Sequence, residues 1–302
     1  MTAPAPTAIT ATEQELRTQP ACWRAALDLL PRVSGQLPGP GERVLAVGCG
    51  TSWFIAAAYA DLREAAGHGW TDAATATEVS SVRDYDRIVA ISRSGTTSEI
   101  IDLLAAHRDT PSVLITAVGE GPAAAHAGAE IVLDFADETS IVQTRFATTA
   151  LALLRGSLGE DLAPAITDAE AALAQEPAPH WIEAEQLTFL GTGWSKHLAD
   201  EAALKLRESS QSWTESYYAM EYRHGPIAIA QPGRLTVSFG TAPAGLQEQT
   251  EATGATFLAP GIDPLAQLAA VHLAAVRRAE ARGLDPDRPR SLTRAVHLEP
   301  AP

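Results

Sequence analysis

The chain has 302 residues, 46% of them hydrophobic and 20% charged, which fits a folded globular protein with one large or two medium domains. Its formal net charge of −15 argues against nucleic acid or an anionic membrane as a partner. No apolar run reaches the roughly 18 residues of a membrane span, the start has no basic region followed by an apolar stretch, and Cys22 and Cys49 make no disulfide framework, so a cytoplasmic protein is expected.

Residues 1–9 read as a tail rich in Ala, Pro and Thr, followed by a helix capped by Thr10 or Thr12. A second helix, about Cys22 to Leu30, is expected to end at Pro31. Residues 43–47 form the clearest strand. It enters the turn Gly48-Cys49-Gly50-Thr51-Ser52 and a helix from Trp53 to about Ala66, the βα unit of a parallel sheet. The unit repeats as strand 86–91, turn 92–97 and helix 98–107. Residues 112–116 and 131–134 read as further strands, and 139–157 as one long helix. After a segment rich in Ala, Asp, Glu and Pro, strand 187–190 enters Gly191-Thr192-Gly193-Trp194-Ser195 and a helix through about Ser209, and a last helix spans about 264–282.

Residues 44–52 match 187–195 at an offset of 143, and Leu62-Arg63-Glu64 matches Leu206-Arg207-Glu208 at 144. This reads as an internal duplication. The expected division is a tail and helices over 1–40, a first α/β half over 41–160 with a phosphate cradle, a linker helix over 161–180, and a second half over 181–302.

Four constellations carry chemistry. The first is the pair of hydroxyl-rich turns at 49–52 and 92–97. Each follows a strand and opens a helix, where unpaired N–H groups and the helix dipole favour an anion. On adjacent parallel strands the two turns meet at one sheet edge. An acidic chain that binds a phosphate needs such a local site. Neither turn matches a dinucleotide or Walker fingerprint. The second is Glu201 to Glu208 on a helix. Glu201 and Lys205 are spaced as a solvated i, i+4 pair, whereas Glu208 falls at the helix end, where a carboxylate opposes the dipole and suits a general base. Only two lysines exist, Lys196 and Lys205, so imine chemistry has two candidates. The third is residues 217–226, where aromatics, an acid, an arginine and His224 precede Gly-Pro. The fourth is the tail 285–297, which carries Arg288, Arg290 and Arg294.

These features together resemble the sugar isomerase (SIS) family, above all the isomerase part of glucosamine-6-phosphate synthase and the amino-sugar-phosphate deaminases. Residues 48–52 resemble the family's C-G-T-S turn, and Ser92-Arg93-Ser94-Gly95-Thr96-Thr97 its S-Q-S-G-E-T turn. Residues 203–208 resemble A-L-K-L-K-E, residues 221–226 E-L-K-H-G-P, and residues 287–294 D-Q-P-R-N-L-A-K. The match covers roughly residues 40–300.

The resemblance implies a fold of two parallel sheets flanked by helices, with no cofactor and no metal. It puts Cys49, Gly50, Thr51, Ser52, Ser92, Arg93, Ser94 and Thr97 against the sugar and its phosphate, with Arg93 a charge-assisted donor in place of a glutamine. Gln143 stands where the family has a small serine and joins that binding set. Glu208 falls on the carboxylate that moves the C2 proton. His224 falls on a ring-opening histidine that the family takes from a neighbouring subunit, which implies a homodimer with shared sites. Arg294 takes the place of the family's catalytic lysine and cannot form an imine. No glutaminase-like segment is read before residue 40, so ammonia transfer from glutamine is not expected. The expected reaction is C2 proton abstraction from a hexosamine 6-phosphate, with water eliminated across C2–C3 and Arg294 holding the developing charge. The alternatives are aldose–ketose isomerisation, deamination, or a sensor that binds sugar phosphate without turnover.

Overall fold

The computed structural model describes residues 9–79 and 83–296; residues 1–8 of the expected tail and His297 lie outside the described residues. Helix α1 (Ala11–Leu16) begins at Thr10, whose hydroxyl accepts from Glu13 N at 3.1 Å, one of the two caps expected. Helix α2 (Gln19–Val33) does not stop at Pro31 but runs through it. Proline removes one backbone donor, and here the ladder resumes beyond it, with Ser34 N bonded to Leu30 O.

The first sheet contains β1 (Val44–Gly48), β2 (Thr71–Thr75), β3 (Arg87–Ile91), β4 (Ser112–Thr116) and β5 (Ala129–Val132) in the order β2-β1-β3-β4-β5, all parallel. Helices α3 (Thr51–Ala65) and α4 (Ser98–Ala106) are its crossovers. The central strands β1 and β4 are buried along their whole length, which is why they read as unbroken apolar runs. Helix α5 (Arg145–Ser157) starts six residues later than expected. The Glu138 carboxylate takes the N–H groups of Thr144 and Arg145, at 2.6 and 2.8 Å, so it serves as the acceptor that opens the helix.

Helices α6 (Ala163–Leu173) and α7 (Pro179–Glu183) lead into the second sheet. It contains β6 (Gln186–Gly191), β7 (Thr214–Tyr218), β8 (Arg234–Ser238) and β9 (Thr256–Leu258) in the order β7-β6-β8-β9, again parallel. Helix α8 (Ser195–Ser210) follows β6, α9 (Leu246–Glu251) precedes β9, and α10 (Pro264–Ala281) closes the fold. One continuous apolar core joins both sheets through α2, α3, α5, α8 and α10, with Trp23, Tyr59, Phe146 and Phe189 fully buried in it.

The two halves repeat at the level of single hydrogen bonds. Arg63 near the end of α3 donates to Thr71 Oγ1 at 2.8 Å, and Arg207 near the end of α8 donates to Thr214 Oγ1 at 3.1 Å. Trp70 and Trp213, each just before its strand, are both exposed and both stacked by an arginine, Arg83 and Arg234. The halves part at the next residue. Glu64 accepts from Thr71 N at 2.9 Å, whereas Glu208 pairs with Lys205 instead.

Candidate active site

The adjacent parallel strands β1 and β3 bring the two hydroxyl turns to one sheet edge. The first turn is shaped by glycine. A Cβ on Gly48 would stand 2.3 Å from the Ser52 carbonyl carbon, and Gly50 has φ +55° and ψ −125°. This lets α3 begin at Thr51 directly beyond the strand. Cys49, Ser52, Ser92, Arg93, Ser94, Thr97, Gln143 and Arg294 then line one cavity of about 30 Å3. Two larger hollows, of about 990 and 530 Å3, contain none of these turns, so chemistry rather than size marks the site.

Within the cavity, Ser92 Oγ and Thr97 Oγ1 are 3.2 Å apart, and Ser94 Oγ accepts from Thr96 N and Thr96 Oγ1. Gly50 and Thr51 do not line it; the Thr51 hydroxyl instead accepts from Lys205 Nζ at 2.9 Å. Arg93 lines the wall, but its guanidinium is not aimed at a ligand. It donates to the carbonyls of Ser140 (2.9 Å), Ile141 (3.0 Å) and Arg294 (3.1 Å), and lies 3.5 Å from Glu138. Burial pulls its pKa down, against the pull of Glu138. The side chain is 1% exposed, so it ties the loop before α5 to the C-terminal tail. Arg294 in that tail forms an ion pair with Asp137.

Behind Thr51 lies a charged trio on one stripe of α8. Lys205 is fully buried, bonded to Thr51 and Glu208 and 3.4 Å from Glu201 Oε1. Glu201 is not the solvated partner its spacing suggested: it is 0% exposed. Burial raises its carboxyl to about 8, so it holds a proton at neutral pH. Burial alone would lower the Lys205 ammonium, but the carboxylates of Glu201 and Glu208 outweigh it and raise the pKa. Glu208 keeps 17% of its side chain exposed and borders a separate hollow of about 350 Å3 with Arg207, Gln211, Ser212, Arg290 and Leu292. The chain Thr51–Lys205–Glu208 therefore connects the cradle side to this second hollow. His224 ends a short 3-10 turn (Glu221–His224), is exposed, and borders neither hollow.

The second glycine turn is no cradle. Ser195 Oγ accepts from Thr192 N at 3.0 Å and donates to Thr192 O and Phe239 O, so its hydroxyl is spent on its own backbone. Among the described residues, no group of three or more His, Cys, Asp or Glu could hold a metal ion, and no helix is long and apolar enough to cross a membrane.

No family model matches the chain. The isomerizing glutamine–fructose-6-phosphate aminotransferase of Aeropyrum pernix is 27% identical, over 97% of this chain and 56% of its own length. The chain thus spans about half the length of the curated relatives it matches. The solved glucosamine-6-phosphate deaminase of Thermotoga maritima superposes with a TM-score of 0.78 at 23% identity, covering 96% of this chain and all of that one. The chain carries the sugar isomerase (SIS) fold. The C-terminal domain of glucosamine–fructose-6-phosphate aminotransferase from Francisella tularensis agrees, with a TM-score of 0.79 at 19% identity over 95% of this chain and all of that one. The resemblance that five short motifs carried thus extends to both halves of the SIS fold.

Lys205 and Glu201 are the residues that motif reading left out of the site. Their signal was present: Glu201, Lys205 and Glu208 are spaced i, i+4, i+7, the period of a buried helix stripe.

Proposed function

We propose that this chain is a phosphosugar enzyme that moves the C2 proton of a hexose or hexosamine 6-phosphate with Glu208 as the base. One observation carries the reading: the Lys205 ammonium bridges the Thr51 hydroxyl at the cradle and the Glu208 carboxylate. A phosphate held by the N–H groups and hydroxyls of the two turns would fix one end of the sugar. The Lys205 bridge would hold the Glu208 side chain in place, aimed to accept a carbon-bound proton. The protonated Glu201 completes the balance, since three buried or half-buried groups then carry one positive and one negative charge.

Proton return to C1 would give aldose–ketose isomerisation, followed by ammonia loss where C2 carries a free amine. The likeness to a deaminase and to isomerizing aminotransferases supports this outcome. A second outcome, loss of water across C2–C3, is favoured by the absence of a free amine for imine chemistry: Lys205 is held by Glu208, and Lys196 lies 2.5 Å from Asp200. The cradle cavity has room for roughly two waters, so a sugar phosphate would enter by displacing the tail that carries Arg294. His224 is exposed, as are Tyr218 and Met220 a few positions before it in sequence, which suits a residue lent to the site of a second copy in a homodimer.

Incubation with fructose 6-phosphate, glucosamine 6-phosphate and N-acetylglucosamine 6-phosphate tests the reading. Isomer formation or ammonia release supports the first outcome, loss of 18 mass units (about one water) the second, and no turnover of any sugar refutes it.

A further inference from the structure

The two sheets repeat strand for strand until the last position. The order β7-β6-β8-β9 matches β2-β1-β3-β4, and the first sheet then adds β5 parallel to β4. Among the described residues no strand pairs with the far edge of β9. The connections differ in length: residues 117–144 separate β4 from α5 and hold β5, whereas only 259–263 separate β9 from α10. In the first half, β5 leads into a 3-10 turn (Asp134–Ala136) that touches both α2 and α5, which pack on each other. Ile131, Leu133 and Ala136 are buried there, and the Phe135 carbonyl accepts from Cys22 Sγ of α2.

The second half has a hollow of about 530 Å3 at the corresponding place. It lies against α6 and α10, which pack together as α2 and α5 do. Ala171 and Ala172 border it from α6, and Ala270 and Ala274 from α10, so small side chains leave the space that the first half fills. Trp181 and Leu258 add apolar surface. Along the edge itself Thr256, Ala259 and Pro260 are exposed. An open parallel edge beside an apolar hollow is the geometry of strand addition, in which the main chain supplies hydrogen bonds and alternate side chains fill the space. Charge narrows the occupant further. The lining includes the carboxylates of Asp168 and Glu176, the latter shared with Arg277, and among the described residues no Lys, Arg or His.

We infer that the edge of β9 and this hollow form a docking site for an extended segment of a partner polypeptide. The segment adds as a fifth strand parallel to β9, places alternate apolar side chains in the hollow and carries a basic residue toward Asp168. The site is separate from the phosphosugar reading, since neither the cradle turns nor Glu208 borders the hollow.

The first half supplies the probe for the test. A synthetic peptide of residues 128–136, the segment that fills the corresponding place, is titrated into the full chain. A second peptide carries Glu130→Lys and Asp134→Lys, and a third scrambles the second. The lysine peptide should bind at least about tenfold more tightly than its scrambled form, and more tightly than the unmodified segment. It should also slow amide hydrogen exchange over residues 256–259. Ala172→Trp and Ala270→Trp fill the hollow from opposite walls, and each should weaken binding about tenfold or more. Melting curves verify that both variants fold, and two walls guard against one misfolding. Binding that leaves exchange at 256–259 unchanged, or that survives both substitutions, puts the peptide elsewhere and overturns the inference. So does a lysine peptide that fails to bind, or that binds no better than the unmodified segment.

Discussion

Lys205 Nζ lies 2.9 Å from Thr51 Oγ1 and at once salt-bridges Glu208, so one buried ammonium ties the start of α3 in the first half to the end of α8 in the second. Removing it strands two carboxyl groups. Lys205→Met should cost about 3–5 kcal/mol of stability, the size expected when one partner of a buried pair is deleted. Urea denaturation measures it; a loss under about 1 kcal/mol would mean the trio is not the strut described here.

Glu201 behaves differently because burial keeps it protonated to about pH 8. Its carboxyl is raised above the unfolded value, so between about pH 4.5 and pH 8 the folded state binds the proton that the unfolded state releases. Stability from this group therefore falls as pH rises through that window. Glu201→Gln mimics the neutral form and should flatten the fall, leaving the variant at least as stable as wild type at pH 8. Melting curves from pH 5 to 8 decide it, and an unchanged slope would count against the assignment.

His197 shows the same sign for a different reason. Burial would lower its pKa, but Asp200 and Asp61 on either side outweigh burial and raise it. A raised histidine contributes stability that is fully present below its unfolded value near 6.5 and is lost as pH rises through the higher folded value. His197→Gln should therefore cost more at pH 6, roughly 0.5–1 kcal/mol, than at pH 9. Equal cost at both pH values would show that the imidazole acts by packing alone.

Arg93 and Arg294 separate structure from chemistry at the tail. Arg93→Gln loses the bonds to the carbonyls of Ser140, Ile141 and Arg294. It should cost roughly 2–3 kcal/mol and speed amide exchange over residues 285–296. The Arg294–Asp137 pair is more than a third exposed on both sides, so Arg294→Ala should leave stability within about 0.5 kcal/mol. If Arg294 holds charge developing on the substrate, that variant still loses turnover about tenfold or more. Full activity in Arg294→Ala would remove the residue from the site.

The fold was legible over most strands buried on both faces, the central strand β8 (Arg234–Ser238) excepted, which was not read. Strands β1, β3, β4 and β6 and the glycine turns after β1 and β6 stand out because central parallel strands must be apolar. The edge strands β2 (Thr-Asp-Ala-Ala-Thr) and β7 (Thr-Glu-Ser-Tyr-Tyr) were not read, because half-buried edges carry no such run. The cradle residues were legible for the same reason as the strands, since each turn's place follows from its strand. Side-chain aim was not. Nothing in the spacing of Arg93 says that its guanidinium turns to Ser140 and Ile141, some 50 positions away in sequence, and nothing local says that Thr51 faces Lys205 in the other half. Such contacts depend on how the halves are placed, which short motifs do not encode.

The central claim is that Glu208 takes the C2 proton of a bound sugar phosphate, and deuterium exchange at C2 tests it most directly. Wild-type protein is incubated with glucosamine 6-phosphate or fructose 6-phosphate in D2O beside Glu208→Gln, and the carbon-bound protons are followed by NMR. The account predicts wash-in of deuterium, at C2 of glucosamine 6-phosphate or C1 of fructose 6-phosphate, by wild type only, with the variant at least about a hundredfold slower while still binding the sugar. Exchange by Glu208→Gln at the wild-type rate would contradict it.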